Sequence, residues 1–312
     1  MRTDVVFLSA PQSAHLYYGS TFLRGRQLSE LLSKRLSDRY SFTFTTDCRQ
    51  TDCFVVLTKG FLAEASPQSL AYLKAGRNVL LADLVDLAMP AADLIALAAS
   101  IDGFVASSHR QMAALKSQFP DKPCHLVTHN VDRRLPAFVP PGDRLRIAYV
   151  GLRQNCRYAS KLDQFAEIVE TPADPLTDDG WISRLPEFNC HYALRRPDDS
   201  AGLQSFMKGL FRRPHVPAGF KPFTKGFTAA HCACPILTER GEGDAQFYLP
   251  EDYPLFLPAS TWKDVSDAIK RIRGEFGGKS WRYAVDVMRE IRDRSSPDHI
   301  ANEFKTMLCH TQ

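Results

Sequence analysis

Long uninterrupted apolar runs are absent from the sequence. The most apolar region, residues 78–101, is interrupted by three aspartates and a proline, namely Asp83, Asp86, Asp93 and Pro90. A membrane-spanning helix needs about 20 mostly apolar residues with few charges, so this region does not qualify. The chain opens directly into a strand-length apolar run at residues 5–8. We therefore expect neither a signal peptide nor a transmembrane helix.

Cysteines at metal-binding spacing are also absent. The eight cysteines form no C-x-x-C sequence, which is the spacing of structural zinc sites. Several stand in apolar segments, where free cysteine behaves as a small hydrophobic residue. We expect reduced, structural cysteines, a cytoplasmic protein and no bound metal ion.

A strong excess of one charge is missing too. The formal net charge is only +4 at pH 7, well short of a dedicated nucleic-acid binder, so no nucleic-acid partner is expected. The basic residues form scattered pairs, namely Lys34–Arg35, Arg133–Arg134, Arg195–Arg196 and Arg212–Arg213. Solvated surface charge is the simplest interpretation. Peripheral contact with the anionic inner face of a membrane, or with phosphorylated ligands, is the alternative left open.

The first half of the chain alternates two kinds of segment. Apolar, strand-like segments occupy residues 5–8, 41–46, 52–57, 78–82, 103–107 and 125–128. Segments of helical periodicity occupy residues 21–36, 67–75, 91–100 and 109–119. This alternation is typical of an α/β fold, with a parallel sheet covered by helices on both faces.

A proline-rich segment at residues 133–144 is the best linker candidate. A strand signal restarts at residues 146–151, so we predict two domains, residues 1–143 and 144–312, each of ordinary size. Further predicted helices are residues 158–169, 201–211, 225–232, 260–275, 279–294 and 297–308. Further predicted strands are residues 188–194 and 234–238.

The strand at residues 146–151 ends in a glycine and is followed by two cations. Gly151 permits a ligand to approach the backbone closely. Arg153 and Lys161 follow the carboxyl end of the strand, where α/β sheets bind their ligands. An arginine fork and a lysine point charge together suit a diphosphate. A turn glycine beside two surface cations is the simpler alternative.

A second candidate anion site precedes the strand at residues 234–238. Lys221, Thr224, Lys225, Gly226 and Thr228 surround the expected start of a helix. Free N–H groups and partial positive charge at a helix start favour phosphate, and a threonine there can cap the helix. The Walker sequence G-x-x-x-x-G-K-[ST] is absent. An ordinary capped helix is the alternative.

The order of these features resembles the nucleotide-sugar half of GT-B glycosyltransferases, and in particular group 1-like members. Residues 221–238 (KPFTKGFTAAHCACPILT) contain the small residues and the proline–aliphatic strand of that helix–strand unit. Residues 102–108 (DGFVASS) and 125–132 (HLVTHNVD) are similar to the end of the family's first domain. The resemblance covers most of the chain.

The resemblance implies two Rossmann-like domains that face each other across a cleft, with the acceptor on the first domain and the donor on the second. The last helix would pack back on the first domain. The implied reaction is sugar transfer from a nucleotide diphosphate sugar to a glycan or lipid-linked acceptor, with no cofactor. Arg153, Lys161 and Lys225 would neutralise the diphosphate without a metal. Thr224 and Gly226 would contact the phosphates, Thr228 the ribose and Glu239 the sugar.

Histidines of the first half are the candidate catalytic groups, because histidine suits general-base work near neutral pH. His15 follows the first strand and is the first choice; His109 is the second and His129 the third. The acidic pairs Asp178–Asp179 and Asp198–Asp199 invite a metal-site interpretation, but their turn-rich surroundings favour ordinary loops.

The sequence departs from the family at the ribose contact, where Thr228 stands in place of the usual glutamate. This departure leaves an alternative function open, namely a non-catalytic protein that binds a nucleotide or nucleotide sugar. An NAD-dependent oxidoreductase is disfavoured, because no G-x-G-x-x-G follows the first strand of either domain.

Overall fold

Two parallel β-sheets organise the chain, one in each of two units. The computed structural model describes residues 2–11, 18–87, 89, 91–136, 138, 140, 142–172, 180–196, 220–257 and 261–311. The first unit comprises Met1–Asn130, Ser200–Pro222 and Ser296–Gln312. The second comprises Val131–Asp199 and Phe223–Ser295. The second unit thus starts before the proline-rich segment 133–144, whereas the sequence placed the boundary after residue 143.

The first unit contains a six-stranded sheet in the order β2-β1-β3-β4-β5-β6, with every neighbouring pair parallel. Its strands are β1 (Thr3–Leu8), β2 (Tyr40–Thr45), β3 (Phe54–Leu57), β4 (Val79–Asp83), β5 (Gly103–Ala106) and β6 (Cys124–Leu126). The central strands are buried on both faces because helices cover both sides, which explains their continuous apolar sequences.

Helices alternate with these strands. They are α1 (Leu28–Arg35), α2 (Lys59–Leu62), α3 (Pro67–Ala75), α4 (Ala91–Ser100) and α5 (His109–Gln118), and a π-helical segment (Tyr18–Gln27) leads into α1. The start of α3 follows from its sequence, since Ser66 forms a capping box with Ser69 and Pro67 fits the first turn.

The second unit contains a four-stranded parallel sheet in the order β10-β9-β7-β8. Its strands are β7 (Ile147–Val150), β8 (Ala166–Val169), β9 (Cys190–Tyr192) and β10 (Ile236–Leu237). Its helices are α6 (Ala159–Leu162), α7 (Gly180–Arg184), α8 (Thr224–His231), α9 (Ala245–Tyr248), α10 (Trp262–Gly274) and α11 (Lys279–Arg294). The prediction of an α/β chain with two parallel, Rossmann-like sheets is confirmed.

The last helix, α12 (Pro297–His310), belongs to the first unit. Phe304 is fully buried and stacks on Phe7 of β1 with ring centroids 5.6 Å apart, and Phe42 of β2 lies 6.0 Å away. Arg35 of α1 forms an ion pair with Asp298. The final helix therefore completes one face of the first sheet.

The predicted helix at residues 158–169 is wrong. Only Ala159–Leu162 is helical, and Ala166–Val169 forms β8, the edge strand paired with β7. Tyr158 has a left-handed backbone (φ +61°), so no helix can run through it from the amino-terminal side. The β-branched Ile168 and Val169 suit a strand, but a short apolar segment does not distinguish the two periodicities.

Several sequence predictions lie outside the described residues. These are the helix at residues 201–211, His15, and the acidic pairs Asp178–Asp179 and Asp198–Asp199. Within the described residues, the cysteines are all free. No helix in those residues has both the length and the apolar character to cross a membrane, and they contain no group of acidic, histidine and cysteine side chains able to hold a metal ion.

Candidate functional site

The carboxyl ends of β7, β9 and β10 meet at one edge of the second sheet, because these strands are parallel. The first group at this edge is Gly151, directly after β7. Its φ of +137° is a conformation that side-chain-bearing residues rarely adopt. A Cβ atom at this position would lie 3.0 Å from Nζ of Lys225. Glycine is thus required by the backbone and leaves room for the lysine.

Lys225 places its amine at this edge from the first turn of α8. Its Nζ donates a hydrogen bond to the carbonyl oxygen of Val150 and lies 3.9 Å from the centroid of the Tyr149 ring. Burial, reinforced by the positive charge of Arg195, lowers the pKa of Lys225 to about 7. An anion that binds beside this amine would raise its pKa again and favour the ammonium form.

Two arginines share this edge with two glutamates. Arg195, beyond the end of β9, forms an ion pair with Glu242, with 2.7 Å between Nε and Oε1. Arg157 pairs with Glu239, beyond the end of β10, and its Nε donates to the backbone oxygen of Arg195 at 2.8 Å. All four side chains are at most a quarter exposed. Burial raises the pKa of Glu239, and Arg157 opposes this effect.

Sequence reasoning missed the part that two arginines play in this cluster. Arg157 was not singled out. For Arg195 the simplest interpretation, solvated surface charge, is wrong, because the side chain is largely buried and paired; contact with phosphorylated ligands was the alternative left open. The position of Arg195 could have indicated a site residue, because it comes after the carboxyl end of β9 as Gly151 comes after that of β7. The pairing with Glu242 was invisible because it joins distant parts of the chain.

Arg153 and Lys161 lie towards the β8 side of the sheet, and both are exposed. Arg153 Nη2 donates to Oδ2 of Asp163 at 2.8 Å, and its backbone N–H donates to Glu170, the residue after β8. This pairing with Asp163 raises the pKa of Arg153. Arg153 is therefore charged but already matched by a carboxylate, whereas the Lys225 amine rests on a neutral carbonyl and a ring.

The start of α8 is organised by aromatic packing. Thr224 is the first helical residue, and the cap position before it is Phe223, which makes no side-chain cap. A Cβ atom on Gly226 would lie 1.9 Å from the Phe223 ring, so glycine here serves close packing. Thr228 lies one turn after Thr224 and is partly exposed. Thr224, Lys225 and Thr228 share the first two turns of this helix.

Lys221 and His109 fall in the first unit. His109 is the first residue of α5, after the buried cap Ser108, whose Oγ accepts from Gln111 and donates to the carbonyl of Phe220, next to Lys221. His109 is partly exposed, as is Lys221.

His129, the third choice as a catalytic base, is buried in the first unit and its Nδ1 contacts the carbonyl of Asn130. Burial and the nearby Arg24 lower its pKa to about 3. Arg24 itself is buried against Asp83 and donates to the carbonyls of Val127 and Thr128. His129 is thus a neutral residue of a buried polar network and a weak base.

Comparisons with known proteins identify the fold. No family model matches the chain, and no curated protein does. Among solved structures, the chain is similar to Alr3699/HepE of Anabaena in complex with UDP, with a TM-score of 0.61 and 10% identity over 99% of this chain and 100% of the other. It is also similar to the lipopolysaccharide outer core galactosyltransferase WaaB in its apo form, with a TM-score of 0.53 and 12% identity over 99% of this chain and 100% of the other. The chain therefore has the fold of GT-B glycosyltransferases.

Proposed function

We propose that the chain is a glycosyltransferase that moves a sugar from a nucleotide diphosphate sugar to a glycan or lipid-linked acceptor. The observation that carries the proposal is the Lys225 amine at the carboxyl edge of the second sheet, beside Gly151. The fold supports it, and one structure with that fold, HepE, is a complex with UDP.

In the proposed reaction, the bond between the sugar carbon and the diphosphate oxygen breaks, and the acceptor hydroxyl oxygen forms the new bond to that carbon. Negative charge grows on the departing diphosphate. The ammonium form of Lys225 stabilises this charge at a site that is already formed, with Thr224 and the backbone at Gly226 as hydrogen-bond partners. Fixed positive charge supplies this stabilisation without a metal ion.

Other residues have proposed supporting roles. Arg153, Lys161 and Lys221 supply further positive charge to the donor, Thr228 contacts the ribose, and Glu239 contacts the sugar. A base must accept the proton of the acceptor hydroxyl, and His15, followed by His109, remains the candidate for that task.

The experiment that tests the proposal is a donor panel. UDP, GDP and ADP are screened for a rise in melting temperature, since a ligand selective for the folded state stabilises it. Sugar conjugates of the nucleotide that stabilises the chain are then tested for transfer by product mass, with and without EDTA. We expect one nucleoside diphosphate to raise the melting temperature, and transfer to survive EDTA. No stabilisation by any nucleotide would refute the proposal.

A second candidate function is nucleotide-sugar binding without catalysis. Thr228 favours it, because it replaces the carboxylate with which the family holds the ribose. Nucleotide binding with no product across the sugar panel would select this alternative.

A further inference from the structure

Two ion pairs lie at this edge of the second sheet, and their carboxylates stand on different kinds of backbone. The Arg157–Glu239 pair is anchored at both ends: Arg157 also donates to the backbone of Arg195, and Glu239 directly follows Thr238, whose backbone pairs with Leu255 and Leu257. In the Arg195–Glu242 pair the carboxylate stands in a turn. Glu242 lies between Gly241, which has no neighbour within 4 Å of its Cβ direction, and Gly243, which has φ +56°. Its N–H donates to the carbonyl of Glu239, and its carbonyl accepts from the N–H of Ala245.

In the Arg195–Glu242 pair, Glu242 is therefore the partner that a ligand could displace. Arg195 is fixed by a backbone bridge to Cys156 and by the hydrogen bond from Arg157. The backbone of Glu242 is held by the hydrogen bonds of the turn, so the pair opens by rotation of the Glu242 side chain. That rotation would leave Arg195 at the sheet edge with its guanidinium free to bind a ligand.

Arg195, Glu242 and Lys225 share one electrostatic environment. The charge of Arg195 lowers the pKa of Lys225, and that of Glu242 raises it. The same two side chains act on the pKa of Tyr149, whose ring lies under the lysine amine. Glu242 thus supplies the negative charge that a ligand would bring to this position.

The burial of the Arg195–Glu242 pair does not show that the pair stabilises the fold. Removing two charges from water costs about as much as their attraction returns, so such pairs are often neutral for folding. A guanidinium at a ligand-binding edge suits phosphate binding, because its planar fork binds two phosphate oxygens at once. A diphosphate carries more negative charge than one carboxylate and can compete for it.

We propose that Arg195 is a binding residue for the donor's diphosphate, and that Glu242 holds it in the ligand-free chain and is displaced when the donor binds. This inference rests on the proposed function. It adds a second cation to Lys225, selects for Arg195 the phosphorylated-ligand alternative left open by the sequence, and assigns a role to the turn at residues 240–243.

The test uses calorimetric titration of the full chain with UDP and with UMP. Glu242→Gln removes the competing charge and keeps the shape, so UDP should bind several-fold more tightly. Arg195→Gln should weaken UDP binding by about tenfold or more, the effect of a charged hydrogen bond, and should reduce the preference for UDP over UMP. Glu167→Gln is the matched control, because it breaks an exposed Arg184–Glu167 pair of the same unit and should change neither affinity.

A charge-swapped variant, Arg195→Glu with Glu242→Arg, covers the case in which a single variant folds poorly. It keeps an ion pair but moves the cation to the turn, so UDP affinity should fall while the melting temperature is retained. A purely structural pair predicts the opposite, namely intact UDP binding in the swapped variant.

The outcomes separate this inference from the proposed function. If wild type binds UDP but Glu242→Gln binds it no more tightly, or Arg195→Gln binds it as wild type does, this inference is wrong and the proposed function stands. If wild type binds none of UDP, GDP or ADP, both are wrong. If wild type prefers GDP or ADP, the same variants are titrated with that nucleotide and its monophosphate.

Discussion

The buried position of Lys225 lowers the free energy of unfolding. In the unfolded chain its amine keeps the proton up to a pKa of about 10.4, whereas in the fold burial lowers that pKa to about 7. Between these values the unfolded state binds more protons, so raising the pH stabilises the fold. Well below pH 7 the cost of burying the charge is present in full, and it is lost as the pH rises towards the unfolded-state pKa.

We therefore predict that Lys225→Met is more stable than wild type at pH 7, by on the order of 1 kcal/mol once the lost hydrogen bond to Val150 is counted. The difference should shrink as the pH rises from 7 to 10. Urea unfolding of both proteins across this range measures it. A constant difference would show that the amine is not buried as a titrating group.

Gly226 allows a second prediction, on packing. Because a Cβ atom there would overlap the buried Phe223 ring, Gly226→Ala should lower the free energy of unfolding by about 1–3 kcal/mol. Gly274, the last residue of α10, has open space around its Cβ direction. Gly274→Ala is the control and should be neutral or slightly stabilising. Equal effects of the two substitutions in denaturant melts would contradict this account of α8.

The individual site residues were predictable only in part. Gly151 and Lys225 stand at a strand end and a helix start, which are local features, and the fold does bring them together. Arg195 is paired with Glu242, and Gly226 packs against the ring of Phe223. These contacts depend on the packed fold, so sequence spacing named Gly226 without its packing role and did not predict the pairing of Arg195.

Secondary-structure elements followed the sequence best where local signals agreed. Helix α3 has its cap at Ser66 and a proline in its first turn, and its predicted range, residues 67–75, is the range observed. Helix α11 likewise spans its predicted residues 279–294, because its apolar residues recur at helical spacing. The strand β8 was missed because its four residues form a strand by pairing with β7, which is a tertiary contact.

The short strand β10 shows how little regular structure the site needs. It has two residues, yet Tyr253 fixes it by donating to the carbonyl of Ile236 and accepting from its N–H. Glu239 follows directly, and after it comes the turn at residues 240–243, which carries Glu242. The tyrosine therefore sets the position of a strand end that carries site residues.

At the scale of the whole molecule, the chain ends in the unit where it began. Phe304 of α12 packs on Phe7 and Phe42 of the first sheet. The cavity left by Phe304→Ala should cost about 3–5 kcal/mol, and it should act on the first unit. Hydrogen exchange resolved by segment measures this: we expect faster exchange in β1 and β2 and unchanged exchange in β7 and β9. Faster exchange confined to β7 and β9 would contradict the assignment of α12.

The central claim is that the Lys225 amine binds the donor's diphosphate, and calorimetric titration of UDP near pH 7.5 tests it most directly. In wild type, a bound diphosphate raises the pKa of the amine from about 7, so binding should take up protons, seen as a dependence of the heat on the ionisation enthalpy of the buffer. Lys225→Met should bind UDP more weakly by about 1–3 kcal/mol and without that uptake. Unchanged UDP affinity in this variant, with the same proton uptake as wild type, would contradict the account.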